Sequence, residues 1–139
     1  MIQNKCEELL SWGDNDLIRY SAIHKATMLN LVGKVKELLQ CGQAINDTDW
    51  TKKTPLHWAA MYCSEVLDFL LQYGGTKINA QDSYGDTPLN VAARLGRDGT
   101  VAMLLDHGAN PLLANFCLQT PLDAAKEHNN PTTVLLLQK

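Results

Sequence analysis

The sequence predicts an all-α solenoid, a stack of antiparallel helix pairs joined by short β-hairpin loops. Three observations predict it. The tetrapeptides Thr54-Pro55-Leu56-His57, Thr87-Pro88-Leu89-Asn90 and Thr120-Pro121-Leu122-Asp123 begin 33 residues apart, and one further step back reaches Ser21-Ala22-Ile23-His24. Other positions keep the same phase: Ala26, Ala59, Ala92 and Ala125 follow each tetrapeptide start, and Asp16, Asp49, Asp82 and Asn115 precede it. Leucine pairs recur downstream as Leu38-Leu39, Leu70-Leu71 and Leu104-Leu105, and Gly42, Gly74 and Gly108 follow them where a helix should stop. A unit this short cannot bury its apolar stripe alone, so the copies must stack, each touching only its neighbours.

Residues 1–15 are expected to form an N-terminal capping helix or half repeat, because Leu9-Leu10-Ser11-Trp12-Gly13 mimics Leu38-Leu39-Gln40-Cys41-Gly42. Full repeats should follow over 16–48, 49–81 and 82–114, and a C-terminal capping repeat over 115–139. Polar segments such as Ala80-Gln81-Asp82-Ser83-Tyr84-Gly85-Asp86 lie between the helix pairs, and their Asp and Gly suit a tight reversal. Each inner helix starts at the tetrapeptide. Thr54 is a good N-cap because its oxygen satisfies an orphan N–H, and Pro55 suits the first helical position because it has no N–H to satisfy. Leu56, Ala59 and Ala60 then share one face, and the two alanines let a neighbouring helix approach closely. The outer helix carries Val35, Leu38 and Leu39 in the first repeat and Val101, Leu104 and Leu105 in the third. In the second repeat one residue is missing between Tyr62 and Val66 and one is regained before Asn79, so that outer helix should start late, capped by Ser64. The last repeat has Asp123 in the His slot and the polar run Lys126-Glu127-His128-Asn129-Asn130, which suits an end that faces water.

With Asp82-x-x-Gly85-x-Thr87-Pro88-Leu89-x-x-Ala92-Ala93 and Thr54-Pro55-Leu56-His57-Trp58-Ala59-Ala60 in view, the chain resembles the ankyrin-repeat family over about residues 16–139. The resemblance implies an ankyrin-like, L-shaped stack of helix pairs with projecting hairpins that binds protein partners on its concave face. Where the family has a glycine two residues before Thr-Pro-Leu, this chain keeps Gly85 but has Lys52 and Leu118 elsewhere, so those turns are expected to be strained or reshaped. Asn46 and Asn79 have a spacing similar to ankyrin asparagines that an asparaginyl hydroxylase modifies. Ala44 and Lys77 stand where an acidic residue often precedes them, and a loop-stabilising role is the expectation.

Chemistry is sparse. At 139 residues the chain has the length of one domain, and its 45% hydrophobic content is that of a globular protein. A net charge of −3 gives no basic footprint, so nucleic acid is not the expected partner. No apolar stretch reaches the ~20 residues of a membrane helix, and Lys5, Glu7 and Glu8 interrupt what a signal peptide would need. A cytoplasmic monomer is therefore expected, with the nucleus or a host cytosol as variants. Cys6, Cys41, Cys63 and Cys117 show no metal-ligand spacing with one another or with His24, His57, His107 or His128, and are expected as reduced thiols acting as small apolar side chains. No Ser or Cys forms a recognisable set with His and an acid, and the Gly pairs punctuate helices rather than cradle phosphate. Neither catalytic, metal nor cofactor residues are assigned. His24 and His57, just inside helix starts, are expected to brace the turn.

What the repeat leaves free are the hairpin tips and the exposed ends of the inner helices. The expected protein-binding residues in those slots are Tyr20, Trp50, Lys53, Met61, Tyr62, Tyr84, Asp86, Arg94, Phe116 and Gln119. Leu29 and Leu95 share the inner-helix end, whereas Trp58 occupies a slot expected to be core. Aromatics are only 6% of the chain, yet Tyr20, Trp50, Tyr62, Tyr84 and Phe116 all fall here. Aromatic and Arg side chains supply most interface hot spots, so the expected function is non-enzymatic binding of one protein partner, as adaptor, inhibitor or effector targeting domain. The alternative is a structural or homo-oligomerising solenoid, motivated by Leu135 on the last helix.

Overall fold

A computed structural model describes residues 6–8, 10–11, 21–62 and 64–139, with the side chain of Ser64 excepted. Helices pair along the chain: α1 (Ala22–Met28) with α2 (Val32–Gln40), α3 (Pro55–Tyr62) with α4 (Ser64–Tyr73), α5 (Pro88–Leu95) with α6 (Asp98–Asp106), and α7 (Pro121–Glu127) with α8 (Pro131–Leu137). The inner helices α1, α3, α5 and α7 pack in sequence, and the outer helices α2, α4, α6 and α8 form a second layer. Every inner-helix alanine of the 33-residue phase, Ala26, Ala59, Ala92 and Ala125, is fully buried, which is what allows helices to approach so closely. Leucines fill the space between layers: Leu38, Leu56, Leu67, Leu70, Leu89 and Leu104 belong to one continuous core cluster. α4 begins at Ser64, so Ser64 is the first helical residue instead of the expected cap.

The inner-helix starts follow the sequence logic. Thr87 accepts from the Asn90 N–H while the Asn90 side chain accepts from the Thr87 N–H, a reciprocal capping box, and Thr120 and Asp123 repeat it in α7. Those hydrogen bonds from Thr120 hold the Asp123 carboxyl below the ordinary range.

Among the described residues the loops are hairpin turns without assigned strands. Asp49 N–H donates to the Lys53 carbonyl, Asp82 N–H to Asp86 and Asn115 N–H to Gln119, and the carboxylate or amide oxygen of each leading residue takes further N–H groups from its own tip. Adjacent tips are joined as well: Ser83 N–H donates to Thr51 O (2.9 Å) and Phe116 N–H to Tyr84 O (3.0 Å). The loop asparagines tie neighbouring repeats together, Asn46 to the backbone of Gly75 and Lys77, and Asn79 to the N–H of Asn110.

Lys52 and Leu118 adopt φ of 61° and 63°, close to the 79° of Gly85, so these turns are strained rather than reshaped. The same hydrogen bond closes all three turns, from the Lys52, Gly85 and Leu118 N–H to the Asp49, Asp82 and Asn115 carbonyls. Gly85 also faces Phe116, whose backbone N would lie 2.6 Å from a Cβ at that position. Two substitutions should therefore move stability in opposite directions in urea titrations. Lys52→Gly is expected to add about 0.5–1 kcal/mol by relieving left-handed strain, and Gly85→Ala to cost ~2 kcal/mol or more through the clash with Phe116.

One expectation about the cysteines is corrected. Cys6 and Cys41 are joined as a disulfide with Cα atoms 5.3 Å apart, while Cys117 is an exposed free thiol. Their 35-residue separation hid the pairing, because folding of the first helix pair brings the N-terminal helical segment against the end of α2. Cys63 lies outside the described residues.

Candidate interaction surface

The candidate surface is the edge of the stack where hairpin tips and inner-helix ends meet. Trp50, Tyr84 and Phe116 at the tips are 64%, 65% and 69% exposed, and Tyr62 at the end of α3 is 61% exposed. Leu29 and Leu95 occupy the same inner-helix slot as Tyr62 in the flanking repeats and are also exposed, so a second apolar row runs beside the tips. Trp50 and Phe116 share a slot with Ser83, whereas Tyr84 stands one residue later, in the slot of Thr51 and Cys117. The three tip aromatics thus alternate slightly across the edge instead of repeating in strict register.

Several candidate residues have structural partners. Lys53 lies half-buried with Nζ 3.2 Å from the Asp82 carboxylate and 5.4 Å from the centre of the Tyr84 ring, bridging two hairpins. Asp86, expected at the surface, is instead buried: one oxygen accepts from Arg94 at 2.8 Å and the other from Asn115 at 3.0 Å. The carboxylate is spent inside the stack because the next hairpin closes over it, and it is not presented to a partner. Arg94 remains half-exposed on the surface with its guanidinium pinned to Asp86. Gln119 is half-buried and donates to the Glu127 carboxylate. Met61 is half-buried beside the exposed Tyr62. Tyr20 lies outside the described residues.

Beneath the aromatics the scaffold is heavily hydrogen-bonded. Trp58, expected in the core, is half-buried; it donates its indole N–H to Asp49 at 2.8 Å and stacks on Tyr62 with ring centres 6.1 Å apart. Burial alone would raise the Asp49 carboxyl, but hydrogen bonds from Thr51, Lys53 and Trp58 outweigh it and hold the group below its ordinary range. His24 and His57 link successive repeats. Nε2 of His24 is 2.8 Å from the Lys53 carbonyl, and Nε2 of His57 is 2.8 Å from the Asp86 carbonyl. A carbonyl only accepts, so each Nε2 carries the proton and each Nδ1 is an acceptor, for the Ser21 hydroxyl in one case and for the Thr54 N–H and hydroxyl in the other. Burial lowers both imidazole pKa values, with the carbonyl contacts opposing it, so both rings are neutral braces.

Sequence reasoning missed part of the far end. Leu112 is strongly exposed in the slot that Asn46 and Asn79 use to reach the next repeat, and Leu118 is exposed at the last tip. The 33-residue phase would have marked Leu112, which replaces an asparagine; it does mark Leu118 in a turn-glycine slot, but not the exposure of its side chain.

Among the described residues there is no group of three His, Cys, Asp or Glu side chains placed to hold a metal ion. No helix among them is long and apolar enough to cross a membrane.

Comparison with known proteins agrees with this geometry. The chain is 34% identical over 90 residues to palmitoyltransferase Hip14 of Drosophila melanogaster, covering 64% of this chain and 14% of that protein. It is 43% identical over 75 residues to regulatory protein SWI6 of Kluyveromyces lactis, covering 53% of this chain and 10% of that protein. It is also 34% identical over 115 residues to human transient receptor potential cation channel subfamily A member 1, covering 78% of this chain and 10% of the channel. The chain thus spans a small fraction of the length of these relatives. The family description "Ankyrin repeats (3 copies)" matches residues 2–82 and 23–115. Such repeats are generally protein-interaction modules and not catalytic folds. With the helix pairs, the hairpin ladder and this match together, the chain belongs to the ankyrin-repeat family.

Proposed function

We infer that this chain is a non-enzymatic module that grips one protein partner through its hairpin tips and inner-helix ends, serving as adaptor, inhibitor or targeting domain. The observation that carries this reading is the exposure of Trp50, Tyr84 and Phe116 along one edge, beside the row Leu29, Tyr62 and Leu95. A preformed surface of this kind binds with little backbone ordering cost, and large aromatics supply the contact area. Between the cap at 1–15 and the C-terminal capping repeat at 115–139, which supplies Phe116, the repeats at 16–48, 49–81 and 82–114 supply Leu29, then Trp50 and Tyr62, then Tyr84 and Leu95. Lys53 lies against the Tyr84 ring, Asp86 with Arg94 and Gln119 with Glu127 brace the same edge through hydrogen bonds, and Met61 flanks Tyr62. The test is affinity capture from a lysate followed by binding of the captured protein to purified variants. Trp50→Ala and Tyr84→Ala should each weaken binding at least tenfold with melting temperature nearly unchanged, because truncating a hot spot costs ~2 kcal/mol in binding while an exposed substitution costs about 0.5 kcal/mol in stability. Lys36→Ala on the outer helix should do neither, and normal binding by both aromatic variants would move the surface elsewhere.

A second reading, self-association of a monomer taken as the default state, draws on the last repeat. Leu118 and Leu135 are exposed there, as is Leu112 in the loop just before it, with an open groove lined by Ala125, Asn130, Pro131 and Val134 beside Leu135. Terminal repeats ordinarily present a polar outer face. Light scattering across concentration separates the readings: a dimer abolished by Leu135→Glu supports self-association, and a constant monomer mass excludes it.

A further inference from the structure

The Cys6–Cys41 bond has no part in the binding surface, and its position in the stack gives it a separate role. Cys41 is the C-cap residue of α2, and its half-buried side chain packs against the core cluster. Cys6 is half-buried in the N-terminal helical segment. We propose that Cys6 and Cys41 form a reversible thiol–disulfide latch that fastens the N-terminal segment onto the first repeat, and that its oxidation state sets how readily this repeat opens.

Each repeat in such an array is held by its neighbours, and an end repeat has a full neighbour on one side only. Here α1 and α2 pack against α3 and α4 on one side, and the Cys6–Cys41 bond ties a further helical segment to the end of α2. A link between residues 6 and 41 encloses α1 and α2 within one covalent loop, so unfolding of this helix pair gains less chain freedom. The reduced state remains folded, because the Cys41 thiol still packs as a small apolar group. Both sulfurs belong to half-buried residues, which leaves them open to small thiols and disulfides. Closure is a balanced exchange with a small disulfide such as oxidised glutathione. The Cys6 or Cys41 thiolate attacks one glutathione sulfur and releases a glutathione thiol. The remaining thiolate attacks the mixed disulfide, forming the Cys6–Cys41 bond and releasing the second thiol. Two protons and two electrons leave the protein, and one disulfide is reduced.

The test uses the full chain in a Cys117→Ser background, which removes exchange through the exposed thiol. After equilibration in oxidised glutathione, peptide mass spectrometry should find residues 6 and 41 linked, and excess reduced glutathione should remove the link. Hydrogen exchange of α1 and α2 amides should speed at least tenfold on reduction, with α5 and α6 amides unchanged. Cys6→Ser should exchange at the reduced rate in both buffers. Since the comparison of oxidised and reduced chain needs no latch variant, a folding defect in Cys6→Ser leaves the result intact. The proposal is overturned by glutathione retained on Cys41 in place of Cys6, by a link that excess reduced glutathione does not open, by equal exchange of α1 and α2 in both states, or by a change in α5 and α6 of the same size.

Discussion

Leu104→Ala should destabilise the protein by ~2–5 kcal/mol, read as a lowered urea midpoint at constant slope. Leu104 is fully buried in α6, with repeats stacked on both sides, so a cavity there cannot be relieved by the chain drawing away. Leu137 is its counterpart one period later, in α8, and is only half-buried, with α8 packed against α6 and α7. Leu137→Ala should therefore cost less, by at least about 1 kcal/mol, since the end repeat can fray around the missing methyls. Equal losses would show that the last repeat is covered in solution, which is what self-association through Leu135 would produce.

Acidification should produce the second large effect. His24 and His57 have folded-state pKa values lowered by burial, so below about pH 6.5 the unfolded chain binds protons that the folded chain resists. Their stabilising contribution is complete above that pH and is lost as pH falls from there through the lowered folded values. While both rings lag, stability should fall by up to ~2.7 kcal/mol per pH unit, or about 1.4 kcal/mol for each. Burial is the main cause in both, and at His57 protonation would also turn an Nδ1–H toward the Thr54 N–H that donates to the neutral ring. Asp49, with its lowered pKa, adds a loss of the same sign only in the ordinary carboxylate range and below. The third repeat supplies the control, because Asn90 fills the same slot without titrating, donating to the Gln119 carbonyl at 3.2 Å. His57→Asn should keep the fold and roughly halve the slope between pH 5 and 7. An unchanged slope would place the titration elsewhere.

The repeat, the helix pairing and the inner-helix caps were legible in the sequence because their signals are local. Thr-Pro-Leu marks a helix start through the orphan N–H groups of one turn, and the alanine phase reports one contact made in every repeat. Exposure of Trp50, Tyr84 and Phe116 could be inferred once the period placed them at tips. Burial of Asp86 could not, because its partners Arg94 and Asn115 come from a helix end and from the next hairpin, and only the stacked structure brings them around one carboxylate. The left-handed backbone at Lys52 and Leu118 was half legible: the missing glycines signalled a problem, but that both turns keep the hydrogen bond to the leading residue's carbonyl was visible only in the structure. The Cys6–Cys41 pair was illegible for a similar reason, since no spacing rule joins an N-terminal segment to the end of the second helix.

The most direct measurement of the binding claim is a hydrogen-exchange footprint of the chain alone and with its captured partner. The claim predicts protection of the hairpin amides at 49–53, 82–86 and 115–119 and of the last turns of α1, α3 and α5, with exchange in α2, α4 and α6 unchanged. Protection confined to those outer helices, or to the end face around Leu135, would contradict it.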